Sequence, residues 1–109
     1  MFWLVLCTAP EGETGSRLAR TLVHEGLAAC VNLVPGLASV YRWEGQVEEN
    51  RESLLLIKTH QKRYQALEAR IRELHPYQVP EIVAIRLEAG LPAYLDWLAQ
   101  SVLGLGSDV

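Results

Sequence analysis

Apolar positions along this chain alternate between short continuous runs and helical stripes. Residues 2–8 (FWLVLCT) form an apolar run closed by Pro10, which reads as a buried strand. In 13–25, Leu18, Leu22 and Val23 share one face with Ala19 beside them, and Gly26 stops the segment. That spacing predicts an amphipathic helix with Glu13 or Thr14 near its cap. Residues 27–59 then form two long apolar, β-branched arms around Glu44-Gly45, a two-residue link of hairpin type. Pro35-Gly36 interrupts the first arm; proline gives the ladder no donor, so a bulge, kink or edge position is expected there. The second arm opens polar (QVEENRE) and turns apolar (SLLLIKT), which puts the sheet core in its second half. Tyr64, Leu67, Ile71 and Leu74 recur at steps of three and four and predict a second helix over 61–74, with Thr59 as its N-cap. His75-Pro76-Tyr77 ends it, because proline disfavours helical backbone in the residue before it. A fourth strand is predicted over 81–88. Pro92 opens a third helix with Leu95, Leu98 and Val102 on one face, and the tail 104–109 is expected to fray.

The order is β-α-β-β-α-β plus a terminal helix. It predicts an α+β, ferredoxin-like split β-α-β fold with an extended hairpin between its second and third strands and an extra C-terminal helix. Each hairpin arm covers about 14 residues, on the order of 45 Å, against roughly 17–20 Å for an ordinary strand. A domain of this size cannot support such arms alone, so the hairpin must overhang its own core. The strands are also apolar on both faces, as in Trp3-Leu4-Val5-Leu6 and Leu54-Leu55-Leu56-Ile57. A sheet with one wet face would alternate. Both features predict self-assembly, with the helix-free face buried against other copies.

Length and charge narrow the function. The chain has 109 residues, half of them hydrophobic, and is expected to form a single domain, 1–109. A net charge of −3 disfavours a nucleic-acid partner, which needs a basic face. There is no run of 18 apolar residues to cross a membrane, and the N-terminus reads as a strand and not as a signal peptide. The cytoplasm is the expected location.

Chemistry-bearing residues are few. Cys7 lies near the end of the first strand and Cys30 near the start of the second. In a split β-α-β sheet the third strand separates them by roughly 9–10 Å, beyond the roughly 7 Å reach of a disulfide, so both are expected to be free thiols. Cys30, in an apolar Ala-Ala-Cys-Val setting, reads as structural. Cys7 beside Thr8 is open to a ligand, and His75 at the end of the second helix either caps that helix or joins Cys7 in a soft-metal site. His24 and His60 read as surface residues. Glu48, Glu49 and Glu52 read as a solvated or interface charge run, and Tyr41, Trp43 and Trp97 as core or interface anchors. Lys58 could pair with an acid or hold an anion. No Ser-His-Asp set, phosphate loop or dinucleotide motif is present, so no enzyme is expected.

Six segments carry a resemblance: LCTAP at 6–10, LAACVNLVPG at 27–36, YRWEGQVEE at 41–49, LLIKT at 55–59, HPYQVPE at 75–81 and YLDWL at 94–98. Together, over nearly the whole chain, they resemble the CutA divalent-cation tolerance proteins. The resemblance implies a tight homotrimer whose long hairpins exchange edge pairing between subunits, an architecture similar to the PII signalling proteins. It implies a role in divalent-metal tolerance with copper as the ion, held by Cys7 and by a tandem histidine pair before Pro-Tyr. Here only the second histidine is present, as His75; Leu74 stands at the first. The resulting expectation is a non-enzymatic, cytoplasmic, homotrimeric metal-tolerance protein that binds copper through Cys7 and His75. The alternative is a PII-like sensor with a small ligand in inter-subunit clefts lined by Trp43, Glu48, Lys58, Tyr77 and Trp97, signalling through a protein partner.

Overall fold

The computed structural model describes residues 1–104, so most of the tail expected to fray lies outside the described residues. The elements are β1 (Phe2–Pro10), α1 (Glu13–His24), β2 (Cys30–Trp43), β3 (Gln46–His60), α2 (Gln61–Leu74), β4 (Val83–Arg86) and α3 (Pro92–Leu103). The strands form one sheet in the order β2-β3-β1-β4, with every neighbouring pair antiparallel. The α+β split β-α-β arrangement is therefore present. β3 does separate β1 from β2, and Cys7 and Cys30 are both free.

The sheet's helix side holds the main core. Val5, Cys7 and Ala9 of β1 and Leu55 and Ile57 of β3 point the same way at period two, and Leu18, Leu22, Leu67 and Ile71 of the helices close over them. A smaller cluster of Ala29, Leu98 and Val102 sits under α3. The opposite face carries Leu4 and Leu6 of β1, Leu54 and Leu56 of β3, and Val83 and Ile85 of β4, the last two half exposed. Apolar residues thus line both faces; α1 and α2 pack over one, and α3 meets the end of the other at Phe2 and Lys58.

The hairpin turn lies at Glu44-Gly45 as expected. Both residues have positive φ (49° and 80°), which fits the right-handed twist of the arms and explains the glycine. The pairing register shifts between Val34 and Leu37, so Pro35-Gly36 forms the expected bulge, with Gly36 at φ 77°. Residues 46–51 of β3 are exposed, and burial begins at Glu52. The overhang gives the chain its longest dimension, 49 Å against 25 and 22 Å.

Several local expectations are corrected. The α1 cap is Gly12, without a side-chain bond, and Val23 is exposed on the groove side of the helix. The α2 cap is His60 and not Thr59; its Nδ1 accepts from the Lys62 amide at 3.1 Å. Thr59 instead donates its hydroxyl to the Leu27 carbonyl at 2.7 Å, an economical way to bury a polar side chain. His60 is therefore a buried cap and not a surface residue; burial, the N-terminal ammonium and Lys62 all disfavour its charged form. β4 is shorter than expected and ends at Arg86.

Candidate functional site

Pro76 shapes the local site. It holds His75 in extended backbone (φ −79°, ψ 136°), which stops α2 and turns the chain so that the Tyr77 amide meets the His75 ring. The Tyr77 N–H donates to His75 Nδ1 at 3.1 Å. The other ring nitrogen, Nε2, lies 2.7 Å from the Thr8 carbonyl oxygen. That oxygen can only accept, so Nε2 carries the proton and Nδ1 the lone pair. The imidazole is neutral and both of its nitrogens are engaged.

Strand geometry explains why Thr8 is available. Carbonyls alternate sides along a strand, and that of Phe2 points towards β4, where it accepts from the Leu87 N–H at 2.9 Å. Thr8, six residues on, points the same way. β4 pairs β1 only from Trp3 to Leu6, so no strand donor reaches Thr8. His75 supplies one. Cys7 Sγ approaches the same oxygen at 3.7 Å as a weaker donor.

Two further side chains complete the cluster. Tyr77 donates its hydroxyl to Glu52 Oε2 at 2.6 Å, and its ring lies 4.6 Å from that of His75. Glu52 is only 5 % exposed. It belongs to this site and not to a solvated acidic run with Glu48 and Glu49. Burial, then the Glu81 and Glu52 carboxylates, push the Cys7 thiol up to about 12. Burial and the bond to Glu52 likewise keep the Tyr77 phenol protonated.

This chemistry does not fit a copper ion as it stands. Copper needs a thiolate and an imidazole lone pair. Here the thiol is fully buried, and the imidazole has no free lone pair. Among the described residues no group of three or more His, Cys, Asp or Glu side chains is placed to hold a metal. Leu74 lines a separate cavity of about 330 Å³ with Thr14, Arg17, Leu18, Thr21 and Pro76, none of which belongs to the Cys7 cluster.

The other expected site residues are not brought together within one chain. Trp43 and Glu48 lie on the outer hairpin, where Glu48 faces Tyr41 across the ladder. Lys58 is ten residues from Glu48 along β3, about 33 Å of strand. It donates to Asn32 Oδ1 at 3.0 Å and lies 5.8 Å from the Tyr94 ring. Tyr94 in turn lies 5.5 Å from Trp97, so Lys58 and Trp97 share one corner of the fold. Cys30 donates to the same Asn32 oxygen at 3.6 Å. Asn32, Tyr94 and the Thr8 carbonyl are not singled out by the sequence, and Glu52 stands out there only as part of a charge run, at the boundary between the polar and apolar halves of its arm. A cavity of about 890 Å³ is an open groove between α1 and the free edge of β2 and contains none of these residues.

The family description "CutA1 divalent ion tolerance protein" matches residues 3–101. The chain belongs to the CutA1 family. The divalent-cation tolerance protein CutA of Thermus thermophilus is 51 % identical over 98 residues, spanning 90 % of this chain and 95 % of that one. The chloroplastic CutA of Arabidopsis thaliana is 46 % identical over 98 residues, spanning 90 % of this chain and 54 % of the plant protein. Among solved structures, CutA of Xylella fastidiosa superposes with a TM-score of 0.90 at 40 % identity, covering 93 % of this chain and 97 % of that one. A Nostoc structure described as a PII-like protein CutA gives a TM-score of 0.86 at 39 % identity, covering 92 % and 96 %. The CutA fold thus extends over the sheet, the hairpin and the Cys7 cluster alike.

Proposed function

We propose that this CutA protein acts as a non-enzymatic, cytoplasmic homotrimer whose assembly serves tolerance of divalent cations. The observation that carries the reading is the hairpin. Its outer half exposes Val40, Tyr41, Trp43 and Val47 and has no core of its own, while Val83 and Ile85 stand half exposed on the sheet face opposite α1 and α2. Apolar surface on that scale is stabilised by a second copy. Among the described residues no helix is long and apolar enough to cross a membrane. A thiol held up to about 12 is a poor nucleophile, which supports the non-enzymatic reading.

Copper is the ion that the sequence resemblance implies, and Cys7 and His75 are the residues it offers. Both imidazole nitrogens are already engaged there, which supports a tolerance role that does not depend on a copper ion resident between Cys7 and His75. Multi-angle light scattering tests the assembly: a trimer mass supports the proposal, and a monomer at micromolar concentration rejects it. Cell fractionation tests the location.

A second reading has its own observation. Lys58, Tyr94 and Trp97 form a cationic, aromatic corner at one end of the chain, and Trp43 and Glu48 lie at the other. Only neighbouring subunits could close them into one cleft. Such a cleft would suit a small anionic ligand in a PII-like sensor, with Tyr77 at its wall and a protein partner reading the state. Thermal-shift screening with nucleotides and carboxylic metabolites tests this; no shift with any non-metal ligand rejects it.

A further inference from the structure

We propose that Cys7, His75, Tyr77 and Glu52 form a closed hydrogen-bonded clasp that fastens the end of α2 to β1 and to the root of the hairpin, and that this clasp stands in place of a copper site. The inference concerns the work of these four side chains and does not depend on the number of subunits.

Three observations carry it. First, the donors and acceptors balance. The imidazole has one proton and one lone pair; the proton goes to Thr8 O and the lone pair takes the Tyr77 amide. The Tyr77 hydroxyl goes to Glu52. Second, the cluster is buried: Cys7 is 0 %, Glu52 5 % and His75 7 % exposed. A buried, satisfied network is costly to open, because each freed group loses its partner away from water. Third, two of the links, His75 to the Thr8 carbonyl and Tyr77 to Glu52, tie segments far apart in sequence. His75 replaces the strand donor that β4 fails to supply to Thr8, and Tyr77 holds the β3 position where the exposed overhang becomes buried sheet. His75 and Tyr77 are thus positioning residues for the hairpin. A copper ion bound by Cys7 and His75 would have to break one of the two imidazole bonds and remove the Cys7 proton.

Hydrogen exchange and copper titration together decide it. In the full-length protein His75→Ala is expected to raise exchange of backbone amides in 50–54 by about tenfold, the loss of roughly one buried hydrogen bond. His75→Gln, whose amide can both donate to Thr8 O and accept from the Tyr77 N–H, is expected to recover most of that protection. In the native wild type Cys7 is expected to resist a maleimide with or without added copper sulfate, while Cys30 reacts. No Cys7-dependent thiolate-to-copper absorption is expected. A copper-induced band that Cys7→Ser abolishes would overturn the clasp, as would unchanged exchange at 50–54 in His75→Ala. The wild-type copper and maleimide measurements decide the matter even where His75→Ala does not fold.

Discussion

The two halves of the β2–β3 hairpin obey different rules. Near the root, Leu55, Ile57 and Thr59 are fully buried at period two, beneath helices of the same chain. Beyond Glu52 the arms still pair in register to Trp43↔Gln46, yet residues 46–51 are exposed throughout. The root is stabilised by burial within the chain. The outer half has ladder hydrogen bonds and little else, and an isolated two-stranded ribbon is marginal in water. One continuous pair of strands therefore contains an element that the chain buries and an element that it leaves exposed. The clasp sits at their junction.

The largest effect should come from the root. Leu55→Ala removes a fully buried side chain and is expected to cost about 2–5 kcal/mol, read by denaturant unfolding. A change well under 1 kcal/mol would mean that the root is not the intrachain core. Val47→Lys tests the other half. Val47 is 66 % exposed in the single chain, so the fold of each subunit should persist while assembly weakens by about 1.5–3 kcal/mol per subunit, the value of burying such a side chain. Sedimentation across a dilution series would read it. Assembly unaffected by Val47→Lys and by Val40→Lys would place the interface elsewhere.

Alkaline unfolding sharpens the junction between the halves. The Cys7 thiol is raised from 9.0 to about 12. Below pH 9 it is protonated in folded and unfolded chains alike, and stability is insensitive to it. Between pH 9 and 12 the unfolded chain loses this proton and the folded chain keeps it, so stability falls by about 1.4 kcal/mol per pH unit. Tyr64, raised to about 12 by burial and by Glu68, adds to the slope in both proteins compared. Cys7→Ala should flatten the profile, removing the cysteine's share and easing the neighbouring Tyr77 phenol; identical slopes would mean that Cys7 is open to solvent when folded.

The smallest effect should come from the α1–α2 seam. Arg70 donates to both oxygens of Glu25 at 2.9 and 2.8 Å, a bidentate pair that holds the Glu25 carboxyl below its usual range. The pair is about one-third exposed, so Arg70→Ala should cost less than any change above, and less still in high salt. A large loss would show that the seam, and not the sheet, limits stability.

Much of this was legible in the sequence, for physical reasons. The Glu44-Gly45 turn, the Pro35-Gly36 bulge and α2 over 61–74 follow from backbone chemistry and apolar period, which are local. The switch from exposed to buried along β3 was visible in the change from QVEENRE to SLLLIKT. All four members of the clasp stand out in the sequence, but only Cys7 and His75 are paired there; Tyr77 and Glu52 carry other readings. The links run through a backbone carbonyl freed by the early end of β4 and between a glutamate and a tyrosine 25 residues apart, and no sequence pattern encodes such pairings. His60 was misread because a histidine cap looks like any polar residue at a helix start, and its burial depends on the N-terminus folding across it. Lys58 stands out in the sequence, but its neighbours Asn32 and Tyr94 come from other elements, and no sequence spacing pairs them with it.

The most direct test of the account is the solution mass of the wild type beside Val47→Lys, measured by light scattering at micromolar concentration. The account predicts three times the 12.2 kDa chain mass for the wild type and a lower, concentration-dependent mass for the variant. A wild type that remains a folded monomer would contradict it, because the outer hairpin would then stand unsupported in water.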